Sequence, residues 1–249
     1  MIIQAIKTSI LQPPKDDLLA LIQKSIKKLP EKSILVISSK VVSIWQGRCV
    51  PVSDYPDKAK LIKEQADKYL IYDYSAERRA IIALKDNILI RAAGIDASNA
   101  NDFYILWPKQ PMQTAKLIHT WACNEYKVKN LGIIIVDSYS VPLRRGAMGV
   151  ALGYFGFQPL KDYRNTKDLF GKIFISSQAN IVDALATSAR LVMGEGAEQT
   201  PLALISKLPF VNFSTRLKKS HKKFSSLSVP IKQDIFTPFL SKVKWRKHG

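Results

Sequence analysis

The sequence predicts a mixed α/β fold, on three observations. Apolar runs rich in β-branched residues recur along the chain, stretches with apolar residues at helical spacing lie between them, and 249 residues suffice to bury a full core. Met1 to Thr8, with Ile2, Ala5 and Ile6 apolar, reads as an opening strand. Pro13 to Asp17 starts a helix with acids where the dipole favours them, and Leu18, Leu21, Ile22, Ile26 and Leu29 form its buried stripe. Ser33 to Ile37 is a buried strand that delivers Ser38, Ser39 and Lys40 to its end. Asp57 to Tyr72 is charged and reads as a helix, and Asn87 to Ala93 as a strand entering the small polar cluster Gly94 to Asn101. Pro111 to Tyr126 is helical, with Trp107, His119 and Trp121 read as packing residues. Leu131 to Val136 is a buried strand closing on Asp137. The four glycines from Gly146 to Gly156 suit close backbone packing or a loop beside a ligand. Lys172 to Ser177 reads as a strand, Gln178 to Met193 as a helix stopped by Gly194, and Leu202 to Ile205 as the last core strand.

Composition narrows the function. With 47% hydrophobic and 23% charged residues the chain is an ordinary soluble globule, and no apolar run reaches membrane-spanning length, so a cytoplasmic protein is expected. Cys49 and Cys123 make neither a disulfide framework nor a CxxC metal site. The net charge of +18 points to acidic partners such as nucleotides, polycarboxylates or nucleic acid. Half of that excess lies in residues 210–249, where ten Lys or Arg face the single acid Asp234, and this segment reads as a basic extension of a domain spanning 1–209.

Three loops carry groups suited to chemistry. Asp137, Ser138, Ser140, Arg144 and Arg145 fall within nine residues, a set that suits a metal beside phosphate or carboxylate oxygens; a strand followed by a solvated turn is the competing reading. Asp96 and Asn99 alone suggest an Asx-type turn, but paired with Asp137 they form a candidate cation site. Glu195 to Pro201 is a third loop with oxygen ligands. The glycine-rich stretch matches neither the P-loop spacing nor the dinucleotide fingerprint.

Taken in order, Ser38-Ser39-Lys40 with Gln46-Gly47-Arg48, Ala93 to Asn99, Val136-Asp137-Ser138, Pro142 to Gly146, Pro159 to Arg164, Asp168 to Gly171 and Leu191 to Glu198 resemble the coenzyme F420-0:L-glutamate ligase family. Tyr104 to Pro108, Asp137 to Arg145 and Glu195 to Pro201 look closest to its bacterial branch assigned to folate metabolism. The resemblance implies a CofE-like, two-lobed mixed α/β subunit in an interlocked homodimer. It also implies amide formation between L-glutamate and an acceptor carboxylate, driven by GTP with two divalent cations, Mg²⁺ or Mn²⁺, and often K⁺. The acceptor expected on this basis is a folate, with F420-0 as the alternative. A nucleic-acid-binding protein on a degenerate ligase core is the reading from another class, and the intact metal residues argue against it.

Carried over position by position, Asp96 and Asp137 match ligands of the first metal, and Ser138 and Glu195 ligands of the second. Ser39, Lys40 and Asn99 match nucleotide contacts, as does the loop Met193, Gly194, Glu195, Gly196, Ala197, Glu198, Gln199 and Thr200. Arg144 and Arg145 are assigned from chemistry alone to gripping the carboxylates of acceptor or glutamate, with a structural salt bridge as the other option. The family's Leu-Pro-Glu-Ile segment is absent at Ser9 to Gln12, and Ile44 stands where a lysine is common, which leaves ATP open beside GTP.

Overall fold

Isoleucine, leucine and valine runs that can be buried on both faces make a sheet with helices on either side. A computed structural model describes residues 1–75, 78–214 and 227–247. The elements in order are β1 (Ile2–Ile6), α1 (Leu18–Ser25), β2 (Ser33–Ser38), α2 (Ser39–Trp45), β3 (Cys49–Pro51), α3 (Lys58–Gln65), β4 (Lys68–Ser75), β5 (Arg78–Lys85) and β6 (Ile88–Arg91). They continue with β7 (Phe103–Ile105), α4 (Pro111–Tyr126), β8 (Leu131–Ser140), β9 (Ala147–Phe155), β10 (Leu160–Asp162), β11 (Gln178–Asn180), α5 (Ile181–Met193), β12 (Leu202–Ser206) and α6 (Thr237–Leu240).

The central sheet has the order β1-β12-β2-β8-β9. β2 and β8 are parallel, and the other pairings are antiparallel. The carboxyl ends of β1, β2 and β8 and the amino end of β12 therefore share one edge, the edge at which sheets of this kind bind ligands. Alternating residues sort to the two faces. Leu35, Ile37, Ile133 and Ile135 pack with α1, α2 and α4, whereas Ile34, Val36, Ile134 and Val136 pack with Val182, Leu185, Ala186 and Ala189 of α5. A smaller antiparallel sheet, β4-β5-β6, joins the first of these cores through Ile81, Ala83 and Ile90.

Several expectations change. The first helix ends at Ser25 rather than Leu29, and Asp17 caps it by accepting from the N–H groups of Leu19 and Ala20. Asp57 to Tyr72 is helical only as far as Gln65, after which aromatic and β-branched residues enter β4. Lys172 to Ser177 is not a strand; the pairing there is a single bridge, Lys167 to Ile173, and the strand that follows is β11. Lys40 lies in the first turn of α2, and Asp137 lies inside β8, which runs on to Ser140.

The glycine-rich segment is a strand, β9, and its glycines serve close packing. A bulge at Leu152 turns Gly149 toward α5 and Gly153 toward α4, where an added Cβ on Gly149 would come within 2.6 Å of the Ala186 carbonyl oxygen and one on Gly153 would strike that of Pro111. Beyond the main domain, Arg246 pairs its backbone with Tyr69, and the Asn87 amide donates to Ser228 and Val229. Five of the ten cations of the basic extension, Arg216, Lys218, Lys219, Lys222 and Lys223, lie outside the described residues. Among the described residues no helix is long and apolar enough to cross a membrane. Gly153→Ala should cost about 1–3 kcal/mol by overpacking a backbone contact; an unchanged urea midpoint would mean that α4 does not press on β9 at this point.

Candidate active site

Asp137 and its neighbour Ser138 point to opposite faces of the central sheet, because side chains alternate along a strand. On the α2 face the Asp137 carboxylate accepts from the Ser39 hydroxyl at 3.0 Å and, through its other oxygen, from the Trp107 indole N–H. Trp107 is buried, as expected of a packing residue, but its ring also positions a carboxylate. Gly94 makes room for it. Any side chain there would collide with the indole, and Gly94 adopts a φ of +72°. Burial pushes the Asp137 carboxyl above the ordinary carboxylate range, opposed by the hydrogen bonds from Trp107 and Ser39 and reinforced by the nearby charge of Asp96.

Asp96 follows the tight 3-10 turn Ala92–Gly94 and is tied into its own loop. Its Oδ1 accepts from the Ser98 N–H at 2.7 Å and hydroxyl at 2.8 Å, and its Oδ2 pairs with Lys40 Nζ at 2.9 Å. Burial raises its pKa, but the Ser98 N–H and the Lys40 ammonium outweigh that and hold the carboxyl below the usual range. Lys58, which sequence reasoning passed over within a charged helix, reaches the same place. It donates to the Ile95 carbonyl at 3.2 Å, and burial lowers its pKa. Asp96, Asp137, Ser138, Lys58 and Arg91 line one cavity.

A second cavity, of about 290 Å³, adjoins it through Lys40. Thr8 to Leu11, Ser38, Lys40, Asn99, Arg190 and the loop Met193 to Pro201 line it. The sheet topology explains why Thr8 to Leu11, Ser38, Lys40 and the Met193 to Pro201 loop meet, since each flanks a strand end on the same edge. The loop is held from three sides. The Asn99 amide donates to the Gly196 carbonyl at 2.9 Å, the Thr200 hydroxyl to the Met193 carbonyl at 2.6 Å, and the Thr8 N–H to the Gln199 carbonyl at 3.0 Å. Within the loop, Glu198 accepts from the Gly196 N–H at 2.8 Å. Ile44, where a lysine was the family expectation, presents a buried apolar side chain to this cavity, and Ser9 to Leu11 form its uncharged rim.

On the α5 face Ser138 meets Glu195, at 3.0 Å to both carboxylate oxygens, and Arg190. Arg190 was missed because a basic residue in a helix's last turn already has a use there, complementing the dipole. Among the described residues no three His, Cys, Asp or Glu side chains cluster as a metal site, so Asp96, Asp137 and Glu195 do not converge as a triad. The pair that shares a cavity, and could hold one cation, is Asp96 and Asp137. Arg144 and Arg145 stand apart from both cavities. They lie on the exposed turn between β8 and β9, and among the described residues neither guanidinium has a partner, which leaves the salt-bridge option without support.

Comparison with known proteins supplies the family. A family model described as F420-0:Gamma-glutamyl ligase matches residues 5–207. The coenzyme F420:L-glutamate ligase of Methanococcus maripaludis strain C7 is 32% identical over 194 residues, 73% of this chain and 78% of the relative. The proteins of the same name from Methanosarcina barkeri and Methanocaldococcus jannaschii are each 29% identical, covering 76% and 74% of this chain and 79% and 80% of the relatives. With the matched region spanning every loop of both cavities, the chain belongs to the F420-0:gamma-glutamyl ligase family and is a ligase.

Proposed function

We propose that the protein joins L-glutamate by an amide bond to a carboxylate of an F420-0-type acceptor, using GTP and a divalent cation, Mg²⁺ or Mn²⁺. The observation that carries this reading is the adjacency of two cavities. One holds Asp96 and Asp137, the other Lys40, Asn99 and the Met193 to Thr200 loop, and the Lys40 to Asp96 ion pair joins them. A folate-type acceptor is the weaker reading, because the relatives named above are F420:L-glutamate ligases.

Amide formation from a carboxylate needs activation. The acceptor carboxylate oxygen attacks the γ-phosphorus of the nucleotide and the nucleoside diphosphate leaves. The amine nitrogen of glutamate then attacks the acyl carbon, the C–O bond to phosphate breaks, and the amine gives up a proton. Lys40, on a flexible stem at the mouth between the cavities, meets phosphate oxygens as a point charge. Asn99 fixes the loop that covers the nucleotide by its bond to Gly196. Asp96 and Asp137 would hold a divalent cation, which would supply neutralisation of the charge that builds on the transferred phosphoryl group. Asp137 suits that task, since its contacts are neutral donors and burial disfavours its bare charge.

The proposed assembly is a homodimer. What supports it is that Leu143 at the hairpin tip and Leu169, Phe170 and Ile175 in the segment before β11, all large apolar side chains, are 99%, 98%, 95% and 85% exposed. Three outcomes are expected. Incubation with L-glutamate, Mn²⁺ and GTP should add one glutamyl residue to F420-0, read by mass spectrometry; the same gain on tetrahydrofolate alone would move the acceptor to the folates. Asp137→Asn should lower turnover by more than about 100-fold without lowering the thermal midpoint, because it removes a buried charge; an active variant would sink the metal assignment. Phe170→Asp combined with Leu169→Asp should convert dimer to monomer in sedimentation velocity, and a wild-type monomer would refute the assembly.

A further inference from the structure

The two carboxylate loops meet different cations, and the difference has a chemical consequence. Arg190, in the last turn of α5, engages three groups at once. Its Nε donates to the Ser138 hydroxyl at 3.0 Å, its Nη2 pairs with Glu195 Oε2 at 2.7 Å, and its Nη1 donates to the Gly194 carbonyl. The ring closes on itself, since the Ser138 hydroxyl also donates to the Glu195 carboxylate while accepting from the guanidinium. A planar fork pinned at three points is a fixed charge, not a mobile one. The Arg190 side chain is 18% exposed and forms part of the wall of the cavity lined by Lys40 and the Met193 to Pro201 loop.

Ser138 and Glu195 are the two residues that the family resemblance assigns to a second divalent cation, and here they do not fit one. A divalent cation needs free oxygen lone pairs at about 2.0–2.6 Å. The Arg190 guanidinium stands within hydrogen-bond distance of both proposed ligands, donating to the Ser138 hydroxyl and pairing with the Glu195 carboxylate, where its charge repels any further cation. The Asp96 and Asp137 pair is different. Lys40 touches Asp96 alone, and among the described residues no cation touches Asp137, whose two side-chain donors are the neutral Ser39 and Trp107.

We propose that the guanidinium of Arg190 takes the place of the second divalent cation, so that this ligase works with one divalent ion per chain, at Asp96 and Asp137. Resting on the ligase reading above, the inference assigns Arg190 a positioning role. It holds Glu195, Ser138 and the start of the Gly194 to Thr200 loop in register, and it presents a permanent positive charge to the cavity where phosphate oxygens bind. A guanidinium stays charged at every working pH and cannot be removed by a chelator. Divalent-ion dependence then comes from the other site alone.

The test is a Mn²⁺ titration of the full chain in the presence of GDP, read by isothermal calorimetry and by the electron paramagnetic resonance of free Mn²⁺. Wild type should bind one equivalent. Arg190→Gln, which keeps the length and removes the charge, should admit a second, while Arg190→Lys, which keeps the charge, should stay at one. Two equivalents in wild type, or one in Arg190→Gln, would overturn the inference. The glutamylation assay separates this from the function beneath it: product formed by a wild-type enzyme that binds two Mn²⁺ defeats the role of Arg190 and leaves the ligase standing. No Mn²⁺ bound by either protein would defeat the role of Arg190 and the metal assignment together.

Discussion

Side-chain alternation along β8 is the constraint from which the site follows. Ile133 and Ile135 are buried against the helices of one face, Ile134 and Val136 against α5 on the other, and a slip of one residue would exchange all four. With the register locked by burial, Asp137 must look toward Ser39 and Trp107, and Ser138 must look toward Arg190 and Glu195. Two adjacent residues thus take their hydrogen-bond partners from opposite faces of the sheet. The parallel pairing of β2 with β8 then brings Ser39 and Lys40 to the same edge, and the antiparallel run of β12 returns the Met193 to Pro201 loop to it.

Holding Asp137 in that position works against stability. A carboxylate that burial drives toward its neutral form, with two neutral donors and another acid nearby, is not what a chain optimised for folding would place inside a central strand. The approach to Asp96 is strained as well. Ala92 and Ala93 both have positive φ, at 53° and 50°, ahead of Gly94 at 72°. Non-glycine residues in the left-handed region cost free energy and persist where the surroundings impose them. Trp107 packs over Gly94, where the indole fills the space a side chain would need. Strained backbone and a buried carboxylate thus meet at the one cavity that Gly94, Asp96 and Asp137 line.

Much of this was legible in the sequence because it depends on local patterns. The strands β2, β8 and β12 are continuous apolar runs, α4 matches its expected ends, and Gly194 stops α5 as its position suggested. Asp96, Asn99, Asp137 and the Met193 to Thr200 loop were visible because each breaks an apolar element with small polar residues. What was missed depends on partners far away in the chain. The β4–β5 hairpin hid behind a run of charges that continued the helical pattern of α3, although Ile81 and Ala83 are what anchor it to the core. The glycines of β9 read equally well as a loop, because their use is set by helices α4 and α5, not by their own neighbours. Arg144 and Arg145 suggested a site by chemistry and proximity to Asp137, but the extension of β8 to Ser140 carries them out along a hairpin.

Lys40 and Arg190 make the same point about charge. Both are basic residues paired with a carboxylate on a loop of the candidate site, and a count of charges treats them alike. Their chemistry separates them. Lys40 is a compact ammonium on a four-carbon stem, holding Asp96 and the Ser98 carbonyl from the boundary between two cavities, and it can turn to a phosphate with little reorganisation. Arg190 is a rigid fork whose three nitrogens are all engaged, so moving it would strand Glu195, Ser138 and the Gly194 carbonyl together. The first cation touches one member of its pair, Asp96, whereas the second touches both Ser138 and Glu195. A net charge of +18 shows only that acidic partners are favoured; the stiffness of each basic side chain decides where they can enter.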